Sequence, residues 1–414
     1  MNTEELSRFV SDGFERAKRG EASTVYTAVT PFFENGLLPS KSHYPFGWII
    51  YYALHQAPAH AIAERKQMLA RYLKLTLRKP HKLHSMILLE AIRLAKDSSA
   101  GNYHDNGRAT PESKKQNSFS IVRFLPLWNP ENLREGDWRR KEQEGKILNS
   151  TVEKLITVYV NELDNTRGLP SEEFMQIIEK GLRTYPDSGI LMAQSAILHE
   201  LKGDKEQAVN FMRKAILSAP AKFHLWSRMA SLLGREKYAR LYAAFLSKAL
   251  SIPGPEEYKG RIRLSLAELM IEHNSPDQAL FELEQVKRIY ESNSWHLPRL
   301  YSELQAKVPQ GTTPADPHKA YRILNLEAEN FIYSALPPVM TRKTYHKEAS
   351  EGADKFGNHR RKPVAWRVAD EKGNNYWLTP RQFMVAEDLP LGTRVCIRLY
   401  NGKVVSANVI LEAQ

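Results

Sequence analysis

Apolar residues recur at helical spacing over most of the first 336 positions. From Glu5 to Lys18, the residues Leu6, Phe9, Val10 and Phe14 mark one face of an amphipathic helix. The same spacing predicts further helices at Thr24–Phe33, Phe46–Leu54, Ala63–Leu77 and Leu83–Ala95. Residues 1–100 are therefore expected to form an N-terminal helical region.

The helical pattern stops at residues 101–117, which are polar and rich in turn-forming residues. We expect an exposed loop there. His104 and Asp105 are chemically suited to a metal, but no second pair at ligand spacing accompanies them, so a surface loop is the better interpretation. Ser118–Trp128 is apolar, and Leu133–Gly145 mixes aromatic with basic residues. This mixture indicates either a binding surface or, as we favour, a helix that buries its aromatic side chains.

The clearest pattern lies between Ser188 and Pro220, where a Gly203-Asp204 turn separates two apolar helical segments. Small residues then repeat at a fixed distance. Ala196 and Ala230 are 34 residues apart, as are Ala215 and Ala249. A fixed period of this length indicates stacked helix pairs that meet at their small residues.

This segment resembles the tetratricopeptide repeat (TPR) family, whose period is also 34 residues. The match to the family pattern rests on the small, large apolar and closing positions Ala196, Ala208, Met212, Pro220, Trp226, Met229, Ala230, Leu246, Ala249, Leu266, Ala267, Ala279 and Leu283. The resemblance covers about residues 150–291 and departs from the family where Met192 and His199 replace its usual tryptophan and tyrosine. It implies an α-α solenoid over residues 118–336 with a C-terminal capping helix, and the N-terminal region is taken as TPR-like.

The chain changes character after Pro337-Pro338. Residues 337–362 are polar and basic and are predicted to be a linker. Residues 363–414 instead alternate apolar with polar positions, which predicts strands at Val364–Val368, Asn375–Leu378, Arg394–Tyr400 and Lys403–Ile410. Asn401-Gly402 is a strong hairpin signal between the last two strands.

Several short strands within about 50 residues indicate a small closed barrel. The segment from Leu391 to Val405 resembles the closing strands of cold-shock or S1-like OB barrels, although the aromatic RNA-binding signature of cold-shock domains is absent. An SH3-like barrel fits the same pattern. The expected fold is mainly α, with a TPR-like solenoid followed by a small C-terminal β-barrel that is OB-like or SH3-like.

The net charge and the cysteine count restrict the expected partners and the expected cellular location. The formal net charge is +12 and the pI is about 9.4, which favours polyanionic partners. Cys396 is the single cysteine, so no internal disulfide forms and a reducing, cytoplasmic location is expected. No apolar run is long enough for a membrane span, and a membrane partner is not expected.

The sequence lacks the common motifs of nucleotide-binding, metal-binding and nucleophilic catalytic sites. The sequence has no phosphate-binding glycine loop, no H-E-x-x-H motif, no pair of C-x-x-C motifs and no G-x-S-x-G elbow. We therefore expect a protein that is not an enzyme and that holds no cofactor and no metal.

The first functional hypothesis is an adaptor. Its solenoid holds a protein partner, while its basic linker and barrel bind RNA or single-stranded DNA. The candidate nucleic-acid-binding residues are basic or aromatic: Arg342, Lys343, Arg360, Arg361, Lys362, Trp366, Arg367, Tyr376, Trp377, Arg394 and Arg398. The aromatic residues among them are equally compatible with a barrel core.

The second hypothesis is a scaffold that binds proteins only, with the barrel as another interaction module. In the TPR resemblance, the partner-contacting places on the concave face fall on Ala193, Ile197, Ser227 and Ser231, which favours an apolar or helical segment over a carboxylate-terminated tail. Helical repeats joined to an OB-like tail also resemble uncharacterised bacterial proteins of defence or conflict loci, although no motif here is diagnostic for them.

Overall fold

The computed structural model describes residues 2–77, 81–104, 118–353, 359–383 and 385–410. Most of the predicted loop 101–117 lies outside this range. Its first four residues continue a helix that ends at His104, so the loop prediction was wrong there. The chain divides into two compact units, Met1–Pro186 and Asp187–Gln414. This division differs from the predicted domains, which ran one solenoid from residue 118 to residue 336.

The described residues of the first unit form helices and one short hairpin. Its helices are α1 Thr3–Arg16, α2 Ala22–Glu34, α3 His43–Gln56, α4 Ile62–Leu73, α5 Lys82–His104, α6 Ile121–Trp128, α7 Thr151–Thr166 and α8 Glu172–Thr184, and its strands are β1 Lys141–Gln143 and β2 Lys146–Leu148. The predicted N-terminal helices are confirmed. No helix covers Leu133–Gly145, where a 3₁₀ turn at Glu135–Trp138 precedes the first strand.

The second unit begins with three consecutive helix pairs. Its helices are α9 Gly189–Leu201, α10 Lys205–Ser218, α11 Phe223–Leu233, α12 Arg235–Ser251, α13 Gly260–Glu272, α14 Pro276–Ser292, α15 Arg299–Gln305 and α16 His318–Tyr333. Ser188 and Asp204 cap the first pair, and Gly203 turns between its helices with a φ of 81°. The predicted small residues Ala196, Ala208, Ala215, Ala230 and Ala249 are all fully buried.

The long helix α16 folds back on the helix pairs. Ala328, Ile332 and Tyr333 of α16 belong to the same apolar core as Trp226 and Phe245 of the second pair. Lys248 of α12 pairs with Glu329 at 2.5 Å, and Arg240 pairs with Glu327. The helix thus lies along α12, because complementary apolar and charged side chains line the two helices.

The C-terminal part is an antiparallel sheet that curls into half a barrel. Its strands are β3 Pro338–Lys347, β6 Ala365–Asp370, β7 Asn375–Leu378, β8 Arg394–Tyr400 and β9 Lys403–Val409, in the spatial order β7-β6-β3-β8-β9. The apolar core of the sheet lies on one face, where Trp366, Val368, Val395, Ile397 and Ala407 are all buried.

The prediction of a linker at residues 337–362 was wrong. Its first half is β3, the central strand of the sheet, and its second half contains β4 Ser350–Ala353 paired with β5 His359–Lys362. Tyr345 pairs with Arg367 in the sheet, and Ala353 pairs with His359 in the separate β4–β5 pair, with the same register on both sides of the interruption between them. The chain segments that follow β3 and precede β6 therefore form a second antiparallel pair, β4 with β5.

Candidate nucleic-acid interface

The sheet has two chemically different faces, because successive residues of a strand point to opposite sides. Thr341 of β3, Trp366 and Val368 of β6 and Val395 of β8 are buried on the inner face. The residues between them form the outer face, which is where an external ligand has access.

A β-bulge decides which side of β3 faces outward near its end. The pairing of β3 with β6 shifts by one residue between Lys343 and Tyr345. Before the shift Lys343 is buried, and after it Tyr345 lies on the outer face opposite Arg367. Thr344 occupies the bulge, and its hydroxyl donates to the carbonyl oxygen of Arg367 at 3.1 Å. The extra residue therefore re-aims a tyrosine toward solvent, as bulges commonly do.

Three side chains form a row across the outer face of β7, β6 and β3. Trp377 lies opposite Arg367, and Arg367 lies opposite Tyr345. Trp377 is 56% exposed and Tyr345 is 46% exposed, and their ring centroids are 6.0 Å apart. The Arg367 guanidinium carbon lies 5.6 Å from the centre of the Tyr345 ring. We call Tyr345, Arg367 and Trp377 the aromatic row.

Two more arginines lie on the outer face beside this row. Arg342 is exposed and directly opposite Arg394 on β8, so two positive charges face each other across neighbouring strands. Among the described residues, neither Arg342 nor Arg367 forms an ion pair with a carboxylate. The outer face therefore combines exposed π-surfaces with positive charge, which is the chemistry that binds single-stranded nucleic acid.

Two predicted contact residues are buried inside the sheet instead. Trp366 is fully buried on the inner face and donates from Nε1 to the carbonyl oxygen of Glu387 at 3.2 Å. Lys343 is 2% exposed, and its Nζ donates to the carbonyl oxygen of Leu389 at 2.5 Å and lies 4.3 Å from the Trp366 ring centre. Burial lowers the pKa of Lys343 below its ordinary value. Their role as ligand contacts was predicted wrongly, because both side chains lie on the inner face.

Two further candidate residues form hydrogen bonds with other residues of the protein. Arg398 donates from Nη1 to the carbonyl oxygen of Tyr333, the last residue of α16, at 2.8 Å, and to that of Leu336, which follows the helix. Tyr376 donates its hydroxyl to Asp370 at 3.1 Å. Both contacts are structural, and the residues are not assigned to the interface. Arg360, Arg361 and Lys362 lie on β5, but their side chains are outside the described residues.

The sequence did not identify Tyr345 as a candidate. The alternation of Val339, Thr341 and Lys343 was the available signal for a strand, but the surrounding charges favoured a linker. Even a correct strand assignment would have placed Tyr345 on the inner face, since only the bulge turns it outward.

The predicted protein-contacting residues do not form one accessible surface. Ala193 and Ile197 are each only 8% exposed, since α9 is apolar on most sides. Ser227 is half-buried and Ser231 is exposed. The prediction of Ala193 and Ile197 as partner contacts was therefore wrong.

Metal ligands do not gather in the described part of the chain, where no three His, Cys, Asp or Glu side chains cluster closely enough to hold an ion. Within the same residues, every helix is too short or too polar to cross a membrane.

Fold and site together define a helical-repeat protein whose C-terminal half-barrel presents an aromatic and basic outer face. The model of a family described as a domain of unknown function (DUF7017) matches residues 193–328, from within α9 to within α16. The match ends before the sheet begins, so the outer face lies outside it. No curated protein matches the sequence.

Proposed function

We propose that this protein is a non-catalytic adaptor that binds RNA or single-stranded DNA on the outer face of its C-terminal sheet. The observation that carries the proposal is the aromatic row, in which two exposed rings flank an arginine across three neighbouring strands. Stacking on aromatic rings is sequence-tolerant, and arginines beside the rings neutralise phosphates. The net charge of +12 supports the same class of ligand.

The adaptor role adds a protein partner bound by the helix pairs, in keeping with their resemblance to TPR arrays. Because Ala193 and Ile197 are buried, we expect that partner to contact exposed residues of the helices instead. A cytoplasmic location is part of the proposal, since the chain has a single cysteine, Cys396.

A protein-only scaffold is the alternative, because exposed aromatic side chains also mark protein interfaces. Salt dependence separates the two. A sheet that binds phosphates releases counterions, whereas a mostly apolar protein contact is much less sensitive to salt.

We expect the nuclease-treated, full-length protein to bind a fluorescent single-stranded oligonucleotide, with an affinity that falls steeply between roughly 50 and 200 mM salt, as phosphate contacts require. Arg342→Ala with Arg367→Ala should weaken binding and reduce the slope of log affinity against log salt by about 0.7 for each phosphate that the variant no longer neutralises. Fluorescence anisotropy measures both quantities.

A control for the loss of an exposed arginine outside the sheet is Arg299→Ala on α15, a residue that is 93% exposed and pairs with Glu303. It should leave affinity and slope close to those of the unmodified protein. Absence of binding at low salt would favour the scaffold.

A further inference from the structure

The two rings of the aromatic row are almost perpendicular. The planes of Tyr345 and Trp377 meet at 80°, with 6.0 Å between their centroids. This edge-to-face arrangement is a favourable one for an aromatic pair. Both rings are about half exposed, so each has surface left for a base.

Perpendicular rings restrict what can stack on them. In a duplex, neighbouring bases of one strand are parallel and about 3.4 Å apart. Two parallel bases cannot each lie flat on one of two perpendicular rings. Bases that stack on both Tyr345 and Trp377 must instead be turned against each other by an angle close to that between the rings.

Arg367 lies on the strand between the two rings. Its Nε is 3.4 Å from the Thr344 hydroxyl, and its guanidinium lies beside the Tyr345 ring. This position places a positive charge 5.6 Å from the centre of the Tyr345 ring, on the strand that separates the two aromatic residues.

We propose that the outer face binds a single strand by unstacking two neighbouring bases, one on Tyr345 and one on Trp377, while Arg367 neutralises the phosphate between them. This inference rests on the proposed function and adds to it the conformation of the ligand. Single-stranded segments accept such a conformation, since their bases are free to turn out and stack on aromatic side chains. A duplex does not, because it would have to give up base pairs.

The test uses the full-length protein and a single-stranded oligonucleotide carrying two adjacent 2-aminopurines. When these bases stack on each other, they give an exciton-coupled circular dichroism signal. We expect saturating protein to abolish that signal. Tyr345→Ala or Trp377→Ala should weaken binding roughly tenfold or more, and should leave the signal in place when enough variant protein is added to saturate the oligonucleotide.

Two controls complete the experiment. Tyr258→Ala removes a tyrosine that is 67% exposed outside the sheet, and it should behave like the unmodified protein. Trp377→Phe keeps a stacking ring and should retain most of the affinity. A duplex of the same sequence should bind more weakly than the single strand.

The outcomes distinguish failure of the two-base unstacking from failure of nucleic-acid binding itself. Tight binding with the exciton signal intact, or equal affinity for duplex and single strand, would overturn the unstacking of two bases and leave nucleic-acid binding standing. Failure to bind either ligand at low salt would overturn both.

Discussion

Deletion of residues 337–414 should destabilise the helical part of the second unit, α9 to α16, by about 3 kcal/mol or more. The linker predicted from the sequence at residues 337–362 would imply the opposite, namely a helical fragment that stays folded without its tail. The structure contradicts the reason for that expectation, because the supposed linker is the central strand of the sheet and the sheet packs on the helices.

Three contacts explain the expected destabilisation. Val405 of β9 belongs to the apolar core that contains Trp226 and Tyr333. Arg398 donates to the carbonyl oxygens of Tyr333 and Leu336 at and just after the end of α16. Its positive charge also interacts favourably with the partial negative charge at this end of the helix. Asn401, in the turn between β8 and β9, donates to Asp187 at 3.0 Å, just before the N-cap of α9. The sheet thus holds the first and the last helix of the second unit.

Hydrogen exchange measures this prediction by region. Backbone amides of α9 to α16 should become less protected in the truncated protein, while those of α3 in the first unit remain protected. Arg398→Met should show a smaller destabilisation of about 1–3 kcal/mol, since it keeps the stem and removes the donors. Arg342→Met, at an exposed position, is its matched control. Unchanged protection of α9 to α16 in the truncated protein would contradict this prediction and show that these helices fold independently of the sheet.

Replacement of Glu282 by Ala should cost about 1–3 kcal/mol, because it removes the carboxylate that accepts from Tyr321 and one of the two carboxylates that pair with Arg263, the other being Glu256. Glu282 is fully buried on α14. Its carboxylate accepts from Arg263 of α13 at 2.7 Å and from the Tyr321 hydroxyl of α16 at 2.8 Å. Burial, together with the Glu282 charge, raises the pKa of Tyr321 and keeps that hydroxyl protonated as a donor.

Urea denaturation of the variants tests this cluster. Glu282→Gln should be less destabilised than Glu282→Ala, because its amide oxygen still accepts a hydrogen bond. Glu284→Ala on the same helix is the matched control, and at this exposed position it should change stability by no more than about 0.5 kcal/mol. Equal stability of Glu282→Ala and Glu284→Ala would show that the cluster does not hold α16 in place.

Local patterns in the sequence predicted the parts of the fold that local physics determines. The repeated alanines Ala196, Ala215, Ala230 and Ala249 are buried as expected, because close helix packing requires small side chains at a fixed spacing. The strands β8 and β9 follow from alternation around Asn401-Gly402, whose positive φ values match a tight hairpin turn.

The errors concern features set by distant partners. Lys343 looks like a surface cation in the sequence, yet the Trp366 ring and the Leu389 carbonyl oxygen hold it inside the sheet. Trp366 and Trp377 were indistinguishable as core or surface until the strand register separated them. Tyr345 reaches the outer face only through a bulge, and no property of residues 338–347 alone predicts where the pairing shifts.

Photo-crosslinking tests the central claim most directly, namely that the outer face of the sheet binds nucleic acid. A single-stranded oligonucleotide containing 5-iodouridine is irradiated with the full-length protein, and the crosslinked residues are identified by mass spectrometry. The structure predicts crosslinks at Tyr345 and Trp377, which lie on separate strands and 32 positions apart in the chain. Crosslinks confined to the helices, with none on β3 or β7, would contradict the assignment.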